Sequence, residues 1–269
     1  MLIPPIVAQG TSGRTALMRN GHRAPRSVVR VSSPDLQQLA PSLFRLRIPG
    51  GRAHLLNCYL WLAPDGVTLI DTGWPDSAEL IEQALHRLGR SRTDIVRIVL
   101  THFHEDHVGA AAEIAAWSRA EVIAGEPDSP FITGERGGPV PVLTAGEQAL
   151  HPGFTEPPHG PVCRVDRAVK DGEVLDFAGG AHVIAVPGHT PGSIALYLPA
   201  VDAVLTGDAV AEFNGQVILG VFNSDRRVAA KSLSRLAATG AEIGGFGHGE
   251  AILEKAGERI ATAIDAFGE

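Results

Sequence analysis

Thr101-His102-Phe103-His104-Glu105-Asp106-His107 places four nitrogen and oxygen donors within six residues, directly after the apolar run Ile95–Leu100. That run is short, β-branched and interrupted only by Arg97, as a strongly buried strand can be. Open α/β sheets place their sites at the carboxyl ends of strands. In extended chain His102 and His104, two residues apart, can aim at one ion. Asp106 and His107, where the chain turns into a helix, can aim at a neighbouring one. An isolated histidine is more often surface or core than ligand, so it is the density of the cluster that carries meaning.

On both sides of this stretch the texture is that of a mixed α/β domain. Leu43–Ile48 alternates with period two, and His54–Leu62 reads as a buried strand. Ala63-Pro-Asp-Gly66 is a turn, and Val67–Asp71 is the strand that returns from it. Ser77 is placed to cap a helix carrying Leu80, Ile81, Ala84, Leu85 and Leu88, which Gly89 ends. An alanine-rich helix is expected over Gly109–Arg119. Further strands are expected near Glu173–Phe177, His182–Val186, Ile194–Leu198, Ala203–Thr206 and Glu242–Phe246, with helices over Arg227–Ala238 and Glu250–Phe267. No linker divides these elements and no short repeat recurs, so residues 41–269 read as one domain.

From 126 to 161 prolines and glycines crowd the chain without a sustained period. A segment of this kind is a lid over a site or an unordered insert. As a lid it would bring Phe131, His151, Phe154 and His159 to substrate. Residues 1–40 read as a tail, with Arg14, Arg19, Arg23, Arg26 and Arg30 preceding the first acid, Asp35. Met1–Ala8 is short and broken by Pro4 and Pro5, unlike a signal peptide, and this points to a cytoplasmic protein.

The 269 residues are 44% hydrophobic and 20% charged, with 31 glycines and 19 prolines, as suits a loop-rich globular enzyme. A formal charge of −7 disfavours nucleic acid as a partner, because phosphate binding needs a basic face. No run approaches the ~20 apolar residues of a membrane span. Cys58 and Cys163 form no Cys-x-x-Cys pair and read as reduced structural thiols. His22, His54, His86 and His182 lack a ligand-like context, and Tyr197 reads as core.

Three further stretches repeat the pattern of a donor just after a strand: Val186-Pro-Gly-His189-Thr-Pro-Gly-Ser193, Leu205-Thr-Gly-Asp208, and Gly245-Phe-Gly-His248-Gly249. Glycine there lets backbone approach closely. The order His-x-His-x-Asp-His, Gly-His-Thr-Pro-Gly-Ser, Thr-Gly-Asp and a late histidine resembles the metallo-β-lactamase superfamily, from about Leu43 to the C-terminus. Leu69-Ile-Asp71-Thr-Gly73 matches its early motif. The resemblance implies an α+β fold, a four-layer αββα sandwich. It also implies that His102, His104 and His189 bind one metal, that Asp106, His107 and His248 bind a second, and that Asp208 bridges them. Asp71 would steady a ligand and its loop by hydrogen bonds, and Asp106 would orient the nucleophile as the catalytic residue. Nitrogen and oxygen donors suit two Zn²⁺, while Mn²⁺ or iron would also fit. The implied reaction is hydrolysis of an ester, lactone or thioester carbonyl by water activated between the metals.

Departures from known branches narrow the substrate. True β-lactamases of the superfamily carry cysteine or serine at the bridging position, so Asp208 argues for at most weak β-lactam hydrolysis. Glyoxalase II relatives append a helical domain that grips glutathione, and only a short stretch follows His248. Many acyl-homoserine lactonases place a tyrosine where Ala211 stands. RNA- and DNA-processing relatives need further domains, and flavodiiron relatives carry glutamate where His104 stands. The alternative chemistry is a persulfide dioxygenase-like enzyme with one iron, against which the complete second ligand set counts. A small-molecule substrate is expected, without nucleic acid or membrane, and a homodimer is the protein partnership left open.

Overall fold

The computed structural model describes residues 33–49, 56–150, 152–153 and 158–268. Within it, Ser32–Glu269 form one compact unit. The tail arginines, His22, His54, His151 and Phe154 lie outside the described residues. In the first sheet β1 (Asp35–Ala40), β2 (Leu43–Ile48), β3 (Leu56–Ala63) and β4 (Gly66–Ile70) run antiparallel in sequence order. Then β5 (Ile95–Leu100), β6 (Glu121–Gly125) and β7 (Arg167–Val169) continue parallel to β4. The chain goes on through β8 (Val174–Leu175), β9 (Ala181–Ala185), β10 (Ile194–Leu198), β11 (Ala203–Leu205), the hairpin of β12 (Val210–Phe213) and β13 (Gln216–Leu219), and β14 (Ile243–Gly245). The second sheet has the order β14-β11-β10-β9-β8. The helices are α1 (Ala78–Arg87), α2 (Glu105–Val108), α3 (Ala111–Ala115), α4 (Ser129–Ile132), α5 (Ala145–Leu150), α6 (Arg226–Ala237) and α7 (Ala256–Ala261).

Period-two alternation sends neighbouring residues of a strand to opposite faces, and this builds the layers. In β3, Leu60 packs outward with Ile81 and Leu85 of α1 and Ile114 of α3. Tyr59 and Trp61 face the other way, towards Val183 and Leu196 of the second sheet. In β5, Ile98 and Leu100 go out and Val99 goes in. The far face of the second sheet, Ala195 and Val204, packs on Leu236 of α6 and Ile260 of α7. Each fully buried Leu or Ile contributes roughly 1.5–3 kcal/mol. The result is helix, sheet, sheet, helix: the αββα sandwich expected from the motifs.

Several elements differ from the sequence expectations. Residues 35–40, read as tail, are a strand paired to β2. The strand β6 and the hairpin β12–β13 had no sequence expectation. The alanine-rich helix expected over Gly109–Arg119 is confined to α3; α2, which carries Asp106 and His107, precedes it, and Gly109 between the two lies tight against the backbone of Trp74 and Pro75. The last helix is confined to α7: Ile252 is drawn into a bridge with Gly244, and the left-handed Lys255 starts the helix only after it. Ser77 holds the N-cap position of α1 without a side-chain capping bond. Tyr197 is only partly buried and donates its hydroxyl to Asp202.

Candidate active site

Strands β4, β5 and β6 are parallel, so their carboxyl ends lie side by side. They deliver Asp71, the stretch 101–107 and Asp128. The second sheet delivers His189 between β9 and β10, Asp208 after β11, and His248 after β14, which is parallel to β11. The sheets are stitched together here, since the Ile194 amide donates to the Thr101 carbonyl at 2.9 Å and the Asn57 amide to Gly247 at 2.8 Å.

All seven predicted ligands converge. His102 Nε2, His104 Nδ1 and His189 Nε2 form a triangle with sides of 3.1, 3.0 and 3.2 Å. Asp106 Oδ2 is 3.7 Å from His107 Nε2 and 3.3 Å from His248 Nε2. The Asp208 carboxylate lies between these groups. Its Oδ1 is 3.3 Å from His107 Nε2, and its Oδ2 is 3.3 Å from His248 Nε2 and 3.7 Å from His189 Nε2. Among the described residues three clusters could each hold a metal ion: His102, His104 and His189; His102, His107 and Asp208; and Asp106, His107 and His248.

The electrostatics divide the imidazoles into two kinds. Burial pushes the pKa of His102 well down and that of His104 down to about 3, aided by crowding from neighbouring histidines. Burial also lowers His189, against the pull of Asp208. For His107 and His248, burial is outweighed by carboxylates. Asp208, Asp106 and Asp71 raise His107 well above the usual range, and Asp208 and Asp106 bring His248 to about 10. The same pairs oppose the effect of burial on the acids, holding Asp106 at about 2 and Asp208 well below its usual value.

This arrangement fits metal ions. Tetrahedral zinc with Zn–N of ~2.0–2.1 Å sets neighbouring nitrogens ~3.3 Å apart, close to the triangle observed. Imidazoles held neutral by burial keep their lone pairs available for an ion. His107 Nε2 and Asp208 Oδ1 are buried without a hydrogen-bond partner, an expense that a cation between them would remove. A Cβ on Gly247 would sit 2.0 Å from Asp208 Oδ1, so only glycine leaves that cradle open.

Around the ligands runs a layer of supports. Asp71 sits in the left-handed region at φ 59°. Its Oδ1 accepts from the Thr101 amide, and its Oδ2 accepts from Thr101 Oγ1 and faces His107 Nδ1, each at 2.8 Å. His189 Nδ1 lies 3.0 Å from the Val221 carbonyl. Sequence reasoning missed two supports. Asp128, fully buried, accepts from Phe103, Thr190 and Gly192. Asn57 and Tyr59 hold the loop that carries His248. A carboxylate closely following a strand was the available signal for Asp128, but it required recognising β6. In the segment 126–161, His159 pairs its backbone with His104 and lays its ring on Phe103 at 6.0 Å, while Phe131 meets Phe103 edge-on at 5.0 Å.

An αββα sandwich with a dense His/Asp cluster at the shared strand ends defines a metallo-hydrolase. Residues 52–248 match the family model described as metallo-beta-lactamase superfamily, and the chain belongs to that superfamily. It is 32% identical over 203 residues to "Probable metallo-hydrolase YflN" of Bacillus subtilis, covering 69% of this chain and 76% of that one. It is 31% identical to a hydroxyacylglutathione hydrolase of Hyphomonas neptunium, over 56% of this chain and only 46% of that relative. A metallo-beta-lactamase family protein of Thermus thermophilus superposes with a TM-score of 0.62 at 27% identity, covering 84% of this chain and 79% of the other. A metallo-beta-lactamase of Cronobacter sakazakii superposes at 0.65 with 22% identity, over 84% and 93%, a likeness of fold. Among the described residues no helix is long and apolar enough to cross a membrane.

Proposed function

We propose that the protein is a two-metal hydrolase that cleaves an ester, lactone or thioester carbonyl bond. The observation that carries this reading is Asp208, whose one carboxylate faces His189 on one side and both His107 and His248 on the other. His102, His104 and His189 would hold one ion, and Asp106, His107 and His248 the other, with Asp208 shared. Bound there, two zinc ions supply Lewis acidity and bring the pKa of coordinated water from ~15.7 towards ~7. Asp106, kept ionised and with its side chain 20% exposed, accepts a proton from the attacking water and passes it to the leaving group. Asp71 fixes the His107 ring so that Nε2 is the atom offered. From the segment 126–161, His159 would line the substrate pocket beside His104, a role supported by its backbone bridge to that ligand. The hydroxyacylglutathione hydrolases among the relatives add a thioester to the substrates worth testing first.

Elemental analysis of protein purified without added metal should return about two zinc or manganese ions per chain, followed by turnover on a lactone, ester or thioester panel that a chelator abolishes. A single iron per chain with persulfide-dependent oxygen uptake would overturn the two-metal reading.

A further inference from the structure

We infer that the two ligand trios are held by two separate clamps, Asp128 for His102, His104 and His189, and Asn57 with Tyr59 for His248, so that either trio can lose its ion without the other. The inference rests on the two-metal reading. Each trio takes one ligand from a glycine-rich turn, His189 from Gly188–Gly192 and His248 from Gly245–Gly249, which lets backbone come close but brings few side chains of its own to stiffen it. Something outside each turn must therefore fix it.

For the first trio that group is Asp128. Its Oδ2 accepts from the Phe103 amide at 3.1 Å, between the two ligands His102 and His104, and from Thr190 Oγ1 at 2.6 Å, next to the ligand His189. Its Oδ1 accepts from the Gly192 amide at 2.6 Å. One fully buried carboxylate thus ties together the two chain segments that meet in the imidazole triangle, without bonding to a ligand itself. The fit is tight, since a Cβ on Gly192 would lie 2.3 Å from the Asp128 amide nitrogen. Asparagine cannot replace it: in either orientation of the amide, an NH₂ faces a backbone N–H.

For His248 the clamp comes from β3. Asn57 Nδ2 donates to the carbonyls of Phe246 at 2.9 Å and Gly249 at 3.0 Å, which flank the ligand. Tyr59 donates to Phe246 at 2.7 Å, and Arg47 to Gly249 at 3.0 Å. Asn57 Oδ1 is buried with no hydrogen-bond partner, so this side chain serves the site as a donor. None of these bonds reaches the first trio, and none of Asp128's reaches His248. Asp71, which holds both Thr101 and His107, belongs to both halves and stands outside the scheme.

The test is stepwise zinc or cobalt affinity of the full-length, metal-stripped protein by chelator competition, with melting temperatures of the metal-free variants as a measure of fold. Asp128→Asn should lower one step about 10- to 100-fold, the usual effect of losing a ligand's support, and leave the other unchanged. Asn57→Ala should lower the other step, and the double variant both. Thr190→Val and Tyr59→Phe, each removing a single hydroxyl, should repeat the two patterns at smaller size, and they decide the matter if a larger change fails to fold. Clamp variants that lower the same step, or that lower both steps equally, would overturn the inference. An unsubstituted chain that takes up fewer than two ions would end the two-metal reading instead.

Discussion

Replacing Asp71 by asparagine should disable His107 as a ligand while leaving the protein folded. The backbone at 71 is left-handed, a conformation that asparagine tolerates better than most residues, so the turn survives. A carboxylate only accepts hydrogen bonds, so the 2.8 Å contact to His107 requires a proton on Nδ1 and leaves Nε2 to face the other ligands. Asparagine can keep its oxygen for the Thr101 amide, but it then presents an NH₂ where Oδ2 stood. That NH₂ donates to Nδ1 and moves the favoured proton of the neutral ring to Nε2, the atom an ion needs. Restoring the binding tautomer sets donor against donor in a buried site. The penalty is about 1–3 kcal/mol, or about 5- to 150-fold in affinity for the ion that His107 binds. Chelator competition measures the affinity, and long-range ¹H–¹⁵N correlation in the metal-loaded protein shows which ring nitrogen carries the proton. Wild-type affinity together with a proton still on Nδ1 would refute this account of Asp71.

Three other outcomes are expected. Asp208→Ala should stay folded yet lose orders of magnitude in turnover, and near-normal rates from a fully metallated variant would contradict a shared ligand. Gly247→Ala drives a methyl to within 2.0 Å of Asp208 Oδ1, so it should cut metal content and activity together, as elemental analysis and a rate assay can show. In the metal-free protein His107 and His248 titrate above the ~6.5 of an unfolded histidine, with His248 at about 10. Stability from a raised pKa is fully present below the unfolded value and is lost as pH rises through the folded one. Thermal melts of metal-free protein should therefore decline between pH ~6.5 and 10, and the zinc-loaded protein, its imidazoles already stripped of those protons, should be spared most of that decline.

The ligand positions were legible in the sequence because each is a histidine or aspartate placed just past a strand, and strands such as β10 and β11 announce themselves by apolar runs. Supports are harder to read, because their meaning lies in distant partners. Asp128 meets Thr190 across 62 residues, and Asn57 meets Phe246 across 189. Locally, Asn57 and Tyr59 are simply members of a buried strand, and β6 hides behind the alanine-rich run before it. The first strand escaped notice because Gln37 and Gln38 weaken its alternation at the open edge of the sheet, where pairing with β2 supplies the order. At the other end, the helical texture of 250–267 was overruled by a tertiary partner when Gly244 captured Ile252.

The imidazole triangle also bears on how the chain survives. His102 and His189 stand 87 residues apart in sequence and belong to different sheets, yet their ring nitrogens lie 3.2 Å apart. The two cysteines are both free and buried, so no disulfide joins the layers. An ion gripped by this triangle would act as a removable rivet between them. By the arithmetic used for disulfides, closing a loop of that length withdraws roughly 4–5 kcal/mol of freedom from the unfolded chain. Scarcity of metal would then shorten the lifetime of the fold as well as silence its chemistry, and clearance of the empty chain would track the metal supply of its surroundings.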